Sequence, residues 1–214
     1  MLLALDTSTS YAGLALHDGE RVLLERTWLC GRHHSEQVLA EVAGALSLVG
    51  LELKSLDALA VARGPGSFSG VRVGIAIAKG FALGLGIPLY GVGTLDALAQ
   101  GFAEVDLPVQ ACVEAGRGRW ITARFQRTAR GMVLLGEPTN VDLPGLVAAC
   151  DGPLLVCGEL DSGSRQRISE QCSETVRLAS PAASLRRAAF VAERALDARR
   201  QGDPATVDAI YQAR

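Results

Sequence analysis

The chain has 214 residues, of which 49% are hydrophobic and 21% are charged, and its formal net charge is −2. This composition predicts a globular protein with a substantial core, and the small net charge argues against a strongly electrostatic nucleic-acid binder. The five cysteines form no CxxC pair, so neither a zinc site nor a disulfide framework is indicated. The start carries no secretion signal and the longest apolar stretch is interrupted by Lys79, so we expect a cytoplasmic protein that does not contact membrane.

Hydrophobic periodicity in the first half predicts elements in the order βββαβαβα. The apolar run LLALD ends in Asp6, and the pair Asp18-Gly19 between two further apolar runs is typical of a hairpin, so the chain opens as a three-strand meander. A helix is predicted after Ser35, which can cap it. The remaining elements are a strand at 56–62, a helix from Ser69 to about Gly86, a strand at 87–92 and a helix from Thr94 to Ala103.

The pattern restarts near residue 106 in a form similar to the first half. PVQACVE predicts a strand that ends in Glu114, AGRGR predicts a turn, and WITARFQ and MVLLGE predict two returning strands. Glu114 follows its strand as Asp6 follows the first one, which indicates an internal duplication. The arginines at 117–130 are interpreted as charges on a solvated hairpin. Beyond them only one strand (GPLLVCGE) and one amphipathic helix (ASLRRAAFVAERALDARR) are predicted, so the second half is read as reduced.

This order of elements predicts an α/β protein with an actin-like, ribonuclease-H-like duplicated fold (the ASKHA class), in which each of two lobes is a mixed sheet with helices. We place the N-terminal lobe, which carries the dimerisation helices, at residues 1–103. The smaller C-terminal lobe is placed at 104–214, with a tail that can return to the first lobe.

The stretch RGPGSFSGVRVG (63–74) joins a predicted strand to a predicted helix, a position where glycine-rich turns often hold phosphate. It lacks the lysine of a Walker A loop, the third glycine of a dinucleotide fingerprint and the central serine of a nucleophile elbow. The sequence therefore favours a structural turn, in which proline and glycine set the backbone and a serine caps the helix. The residues of this predicted turn are Gly64, Pro65, Gly66, Ser67, Ser69 and Gly70.

Two long helices of the first half are predicted to carry small and apolar residues on their outer faces. On the second helix Arg72 and Lys79 are the only charges, and they share a face because they are seven residues apart. Small outward residues would let another helix pair approach closely, and ordinary surface alanine is the alternative. The predicted partner interface comprises Ala40, Gly44, Ser47, Leu48, Arg72, Ile75, Ala76, Lys79 and Leu83. The face of the second helix expected to meet the sheet comprises Gly70, Val73, Gly74, Ile77, Phe81 and Leu85.

Asp6, Thr7 and Ser8 follow the first strand and match the start of a nucleotide-binding turn, in which an acid and hydroxyls hold phosphate and magnesium. The second half lacks the matching glycine-rich turn, so these residues are interpreted as a vestigial nucleotide turn. His33 and His34 are adjacent and have no evident third ligand, so no metal site is expected. No Ser–His–Asp set can be assembled either.

The first half also resembles the TsaB (YeaZ) family, which acts in bacterial tRNA threonylcarbamoyladenosine synthesis. The resemblance is carried by LALDTSTSYAGLAL, the His-Ser pair at 34–35, RGPGSFSGVRVGIAIAKGFALG and IPLYGVGTLDALA, and it covers nearly all of 1–103. The second half resembles the family weakly. Where relatives usually carry an Asp-Ala-Arg-Arg-Gly turn this chain has Glu114-Ala115-Gly116-Arg117-Gly118, and the Tyr-Leu-Arg ending of relatives is here Tyr211-Gln212-Ala213.

The resemblance implies a non-catalytic chain that binds no cofactor by itself, with ATP or ADP and metal on partner subunits. Family members pair through the two helices of the first lobe with a TsaD-like catalytic subunit, and a TsaE-like ATPase joins them. The complex transfers threonylcarbamoyl to the adenosine 3′ of the anticodon in tRNAs that read codons beginning with A, and members alone tend to form homodimers. Two alternatives stay open: an enzyme, either an actin-like ATPase or kinase that uses Asp6 and Thr7 or a peptidase, and a homodimeric structural protein.

Overall fold

A computed structural model of the chain describes residues 1–31, 34–129, 131–202 and 207. The strands are β1 Leu2–Asp6, β2 Tyr11–His17, β3 Val22–Leu29, β4 Ala58–Ala62, β5 Leu89–Val92, β6 Val109–Gly116, β7 Arg119–Thr128, β8 Gly131–Asp142, β9 Leu154–Gly158 and β10 Val176–Leu178. The helices are α1 His34–Leu48, α2 Phe68–Leu85, α3 Thr94–Gln100, α4 Leu143–Ala148, α5 Ser162–Gln171 and α6 Ala188–Gln201. The order βββαβαβα predicted for the first half is confirmed.

The first sheet has the strand order β3-β2-β1-β4-β5. β1 pairs antiparallel with β2 and parallel with β4, and β4 pairs parallel with β5. Because successive side chains of a strand point to opposite faces, β1 contributes to two cores. Leu3 and Leu5 pack on the side covered by α1 and α2, whereas Leu2 and Ala4 pack on the side covered by α6.

The second sheet repeats this arrangement with the order β10-β9-β6-β7-β8. β6 pairs antiparallel with β7 and parallel with β9, as β1 does with β2 and β4. α4 and α5 contribute Leu146 and Ile168 to the core on one face of the sheet. The duplicated α/β architecture predicted from the sequence is therefore present in the strand topology.

The second half contains two helices, α4 and α5, that the sequence analysis did not predict. α4 has only six residues and follows Asp142, whose side chain accepts a hydrogen bond from the N–H of Gly145 at 3.0 Å. α5 follows Asp161, whose side chain accepts from the N–H of Ser164 at 2.7 Å. Only Ser164 and Ile168 of α5 are buried, so the helix has little apolar periodicity to detect. The description of the second half as reduced to one helix was wrong.

The described chain divides into two compact units, one formed by Met1–Ala97 with the segment that begins at Arg187 and the other by Leu98–Arg186. The sequence placed α6 within 104–214, with a tail that can return to the first lobe, and in the structure this helix packs on β1 and β2 of the first unit. Glu25 of β3 holds the start of α6, because its carboxylate accepts from the N–H of Ala189 at 2.9 Å and from the Arg187 guanidinium at 2.7 Å. The second face of the first sheet is thus covered by a helix that follows the second unit in the sequence.

Local signals fix both ends of α2. The hydroxyl oxygen of Ser67 accepts from the N–H of Gly70 at 3.3 Å, and Gly86 ends the helix in the left-handed conformation with φ 66°. In the described ranges α2 is the one helix whose length and composition would also allow it to cross a membrane. It packs against β4 and β1, as the covering helices of an α/β sheet do.

Candidate functional site

The turn after β1 and the glycine-rich turn after β4 lie against each other. Asp6 is 3% exposed, and one of its carboxylate oxygens accepts from the N–H and the hydroxyl of Ser8, at 2.8 and 2.5 Å. The hydroxyl of Thr7 donates to the carbonyl oxygen of Gly70 at 2.8 Å. The N–H of Ser67 donates to the carbonyl oxygen of Ser8 at 2.6 Å. These bonds tie the predicted nucleotide turn to the start of α2.

Three glycines make this close approach possible. A Cβ atom on Gly66 would lie 2.1 Å from the carbonyl oxygen of Ser8, and one on Gly70 would lie 2.2 Å from that of Thr7. A Cβ atom on Gly74 would lie 2.2 Å from the hydroxyl oxygen of Thr7. Close-packed interiors have no room for a methyl group at such distances unless the backbone shifts. The stretch GPGSFSGVRVG therefore carries glycine where α2 and its turn approach the residues that follow β1.

The other residues of the predicted structural turn have local roles. Gly64 has φ 101°, which favours glycine, and its carbonyl oxygen accepts from the N–H of Thr94 at 2.8 Å. A cis peptide bond joins it to Pro65. The hydroxyl oxygens of Ser67 and Ser69 lie 3.4 Å apart, and of these two candidate caps it is Ser67 that accepts from a helix N–H.

The polar atoms of the nucleotide-like turn are engaged within the chain. Asp6 accepts from Ser8, Thr7 donates to the first turn of α2, and Ser67 caps that helix. A phosphate site built on a turn and a helix start would present such groups to the ligand instead. The contacts suit a turn that has become part of the core.

α1 and α2 pack against each other and carry exposed apolar side chains on their outer faces. Leu48 is 69% exposed and Leu83 is 87% exposed. Between them lie small residues that leave the helix backbones accessible. The predicted interface residues that are exposed are Ala40, Gly44, Ser47, Leu48, Arg72, Ala76, Lys79 and Leu83.

Ile75 was also predicted at this interface, but it is 8% exposed and packs in the core with Val71 and Ala78. The prediction was wrong because α2 is rotated about its axis relative to the expected orientation. Gly70 and Gly74 lie against the turn after β1 and bring the neighbouring Val71 and Ile75 inward. The residues predicted to face the sheet that are only partly buried are Val73, Ile77, Phe81 and Leu85.

The sequence analysis missed exposed residues on the same two helices, namely Leu39, Phe68, Gly80 and Gly84. The guanidinium carbon of Arg72 lies 3.7 Å from the centroid of the Phe68 ring, a cation–π contact at the surface. A Cβ atom on Gly80 or Gly84 would meet nothing within 4 Å. Counting four and eight residues on from Ala76 would have found both glycines, because residues at that spacing share a helix face.

Polar contacts also hold α1 to β3, beside Gly44 of this surface. The guanidinium of Arg26 lies 2.6 Å from the carboxylate of Glu41, and the indole N–H of Trp28 donates to the side-chain oxygen of Gln37 at 3.0 Å. The inner residues of the helix fill the core and include Val38, Val42 and Ala45. The orientation of α1 is therefore set by its apolar core contacts and by these polar contacts with β3.

The turn after β6 differs from the turn after β1. Residues 114–119 are exposed, and Arg117 has φ 56° between two glycines that also have positive φ. Glu114 is exposed rather than buried, and its N–H donates to the carboxylate of Glu159 at 3.1 Å. Arg124, which was interpreted as part of a solvated hairpin, is half-buried and hydrogen-bonded.

Within the described ranges, no group of three or more His, Cys, Asp or Glu side chains could hold a metal ion. Burial raises the pKa of the Cys112 and Cys150 thiols to about 12, so neither is a ready nucleophile at neutral pH. Several residues named in the sequence analysis lie outside the described part: His33, Arg130, the side chains of His34 and Ser35, and residues 211–213.

The chain is similar to known proteins of one family. A family model described as "TsaD: tRNA N6-adenosine threonylcarbamoyltransferase" matches residues 28–138. The "tRNA threonylcarbamoyladenosine biosynthesis protein TsaB" of Escherichia coli K12 is 40% identical over 145 residues, which are 66% of this chain and 62% of that protein. The protein of the same name from Bacillus subtilis 168 is 30% identical over 172 residues, 79% of this chain and 75% of that protein. The chain belongs to the TsaB family.

Solved structures agree with membership of the TsaB family. "YeaZ from Pseudomonas aeruginosa" covers 99% of both chains with a TM-score of 0.81 and 27% identity. The ROK hexokinase of Thermus thermophilus covers 91% of this chain and 97% of its own at a TM-score of 0.50, and its 13% identity shows the fold alone. The family resemblance and the actin-like α/β fold predicted from the sequence are both confirmed. The chain nevertheless spans less than two thirds of the E. coli TsaB protein.

Proposed function

We propose that this TsaB-family chain is a non-catalytic partner protein in tRNA threonylcarbamoyladenosine biosynthesis. In this proposal it binds a TsaD-like catalytic subunit through the outer faces of α1 and α2, and a TsaE-like ATPase joins the pair. tRNA is engaged through the complex in the cytoplasm, and nucleotide and metal belong to the partner subunits. The names of the relatives support the pathway, and the geometry of the first unit supports the partner role.

The observation that carries the proposal is the exposed apolar face of α1 and α2. Large solvent-exposed apolar side chains on adjacent helices are typical of an interaction surface. These side chains are Leu39, Leu48, Phe68 and Leu83. Gly44 and Ala76 are exposed on the same two helices, and residues this small would let a partner helix approach to about 8 Å between axes. Lys79 forms no ion pair with any residue that the structure describes, and it can meet an acidic group of the partner.

The state of the turn after β1 favours a partner role over an ATPase or kinase. The carboxylate of Asp6 accepts two hydrogen bonds from Ser8, and the hydroxyl of Thr7 is committed to Gly70. An enzyme of the actin-like class would need these groups for magnesium and phosphate. Their use inside the core supports assigning the chemistry to another subunit.

The test is co-purification with the TsaD-like protein of the same cell, using the double variant Gly44→Glu and Ala76→Glu. A Cβ atom on Gly44 would meet only Arg26 Nη1, at 3.6 Å, so the chain should still fold. Two carboxylates buried against apolar partner surface lose their hydration, and we expect the complex to be lost. The matched control is Ala148→Glu with Ala182→Glu, both exposed residues of the second unit, which should leave binding intact.

Retention of the TsaD-like protein by the Gly44/Ala76 variant at wild-type levels would show that the interface lies elsewhere. Size-exclusion chromatography of the chain alone, before and after addition of the TsaD-like protein, separates the homodimer from the heterodimer. Calorimetric titration with ATP and magnesium tests the enzyme alternative. Tight binding with hydrolysis that is abolished in both Asp6→Ala and Asp6→Asn would overturn the non-catalytic part of the proposal.

A further inference from the structure

The second unit contains a surface cavity, open to solvent and lined mainly by polar side chains, that the proposed partner role does not use. Its volume is about 360 Å³, at the small end of the range for ligand pockets, roughly 300–1,000 Å³. It lies against β7 and β8, near the end of α4. The side chains that matter for its chemistry are Gln110, Thr122, Arg124, Leu135, Glu137 and Thr139.

The cavity lies where the hydrogen-bonded ladder between β7 and β8 is interrupted. Thr122 pairs with Thr139 and Arg124 pairs with Leu135, so three residues of β8 lie opposite a single residue of β7. Gly136, within this bulge, has φ 78°, a conformation that favours glycine. Bulges bend a strand away from its neighbour and re-aim its side chains, and they are frequent beside functional sites. Here the bulge forms one wall of the cavity.

The floor of the cavity is a buried and fully oriented polar chain. Gln110 and Thr122 are both almost completely buried, and the side-chain N–H of Gln110 donates to the hydroxyl oxygen of Thr122 at 2.7 Å. The hydroxyl of Thr122 in turn donates to the carbonyl oxygen of Ala111 at 2.9 Å. The side-chain oxygen of Gln110 accepts from Nε of Arg124 at 3.2 Å. Such a network fixes the direction of the guanidinium.

The charges around the cavity are one cation and two anions. Nη2 of Arg124 donates to the carbonyl oxygen of Ala149 and to the carboxylate of Asp151, both at 2.6 Å. The hydrogen bond and charge of Arg124 hold the pKa of Asp151 below its ordinary value, so this pair is charged at neutral pH. Among the described residues, Nη1 of Arg124 has no hydrogen-bond acceptor and Glu137 has neither a hydrogen bond nor an ion pair.

We propose that this cavity binds a free α-amino acid, a small molecule that carries both a carboxylate and an ammonium group. Nη1 of Arg124 binds the carboxylate, and Glu137, helped by the hydroxyl of Thr139, binds the ammonium. Leu135 supplies an apolar wall for the side chain. A lone anion would face two carboxylates and a lone cation would face the guanidinium, so the zwitterion matches the charges better than either half.

The first experiment titrates the full chain with glycine and L-leucine and follows backbone amide resonances by NMR. We expect saturable shifts at Ala123, Leu135, Gly136 and Thr139 for at least one of the two. The matched single-charge probes are methylamine and acetate for glycine, and 3-methylbutylamine and 4-methylpentanoate for leucine. Each should bind at least about tenfold more weakly, because it loses a charge-assisted hydrogen bond. Absence of shifts up to about 10 mM amino acid would overturn the proposal.

The second experiment repeats the titration with Glu137→Gln, which keeps the shape of the side chain and removes its charge. Affinity for the amino acid should fall about tenfold or more. The control is Glu174→Gln, an exposed glutamate of the same unit with no hydrogen bond or ion pair in the described part of the chain, and it should bind as the wild type does. Unchanged affinity in Glu137→Gln, or single-charge probes that bind as tightly as the amino acid, would refute the site. Neither result touches the proposed partner role, which concerns α1 and α2.

Discussion

The two halves of the chain form sheets of the same topology, but different contacts hold the turn after the first strand of each sheet. In the first half the turn after β1 is packed under α2, with hydroxyl-to-carbonyl bonds and glycines in place of side chains. In the second half the corresponding region is held by Glu159, just after β9. Its carboxylate pairs with Arg186 at 2.7 Å and accepts from the N–H of Glu114, and its carbonyl oxygen accepts from the indole N–H of Trp120 at 2.8 Å.

One contact is common to both halves. A Cβ atom on Gly158 would lie 1.9 Å from the carbonyl oxygen of Cys112, much as one on Gly66 would lie 2.1 Å from that of Ser8. Each half thus has a glycine whose missing side chain allows a close backbone approach, at the end of β9 in one half and in the turn after β4 in the other. The hydroxyl contacts occur in the first half and the ion pair of Glu159 with Arg186 occurs in the second half.

The largest expected effect tests the shared close approach. Gly158→Ala and Gly66→Ala should each lower the free energy of unfolding by roughly 3 kcal/mol or more, because the new methyl group would overlap a backbone carbonyl. Urea denaturation measures the change. Gly80→Ala is the control: its Cβ would meet nothing, so replacing a helical glycine should raise stability by about 0.5–1 kcal/mol. If either of these two alanine variants were as stable as the wild type, the close approach would not be a feature shared by the two halves.

The next effect concerns the ion pair that only the second half uses. Glu159→Gln should lower the free energy of unfolding by about 3 kcal/mol, because it leaves the buried guanidinium of Arg186 without that carboxylate. The comparison is Glu41→Gln in the first half, whose partner is Arg26 and whose pair is partly exposed, with an expected loss below about 1 kcal/mol. Equal losses in the two variants would contradict the distinction.

A smaller effect is expected at the helix caps that follow β4 and β9. Ser67→Ala and Asp161→Ala should each cost about 1 kcal/mol, since each removes the acceptor for an N–H in the first turn of α2 or α5. Ser69→Ala should cost less than about 0.5 kcal/mol, because its hydroxyl accepts from no helix N–H in the described contacts. If Ser69→Ala were the more damaging change, the cap of α2 would have been assigned to the wrong serine.

The smallest effect is a pH dependence that distinguishes the two caps. Hydrogen bonds from Ser164 hold the pKa of Asp161 below its ordinary value of 3.8. Its contribution to stability is therefore complete above pH 3.8 and is lost as the pH falls through the lowered pKa. We expect Asp161→Asn to lose less stability than the wild type between pH 5 and 2, whereas Ser67→Ala should run parallel to the wild type. Parallel curves for all three proteins would show that Asp161 does not titrate in this way.

Much of the first half could be predicted from the sequence because its signals are local. The Asp18-Gly19 hairpin, the cap at Ser67 and the glycine at the end of α2 all act on neighbouring residues. The structural role of the glycine-rich turn was predicted by elimination of the phosphate-binding motifs, and its Gly66 and Gly70 lie against the residues that follow β1. The contact of Thr7 with Gly70 could not be inferred, because it joins residues 63 positions apart.

The second half and the outer face of α2 show where pattern reasoning failed. α5 is almost entirely polar, so its cap at Asp161 was the only usable signal. Ile75 was misplaced because periodicity defines the faces of a helix but not its rotation on the sheet, which depends here on Gly70 and Gly74. The cavity beside β8 depends on a bulge in the pairing of β7 with β8, and hydrophobic periodicity in the sequence does not predict such a bulge.

The position of α6 has a consequence for synthesis of the protein on the ribosome. The second unit is inserted between the strands of the first sheet and the helix that covers its second face. At about 5–20 residues per second, translation of the inserted unit delays α6 by on the order of ten seconds. During that time the apolar side chains of β1 and β4 lack the helix that will cover them, although Glu25, which receives the start of that helix, has already been synthesised. The nascent chain therefore completes its second unit before its first, and the final helix closes a core whose strands were made first.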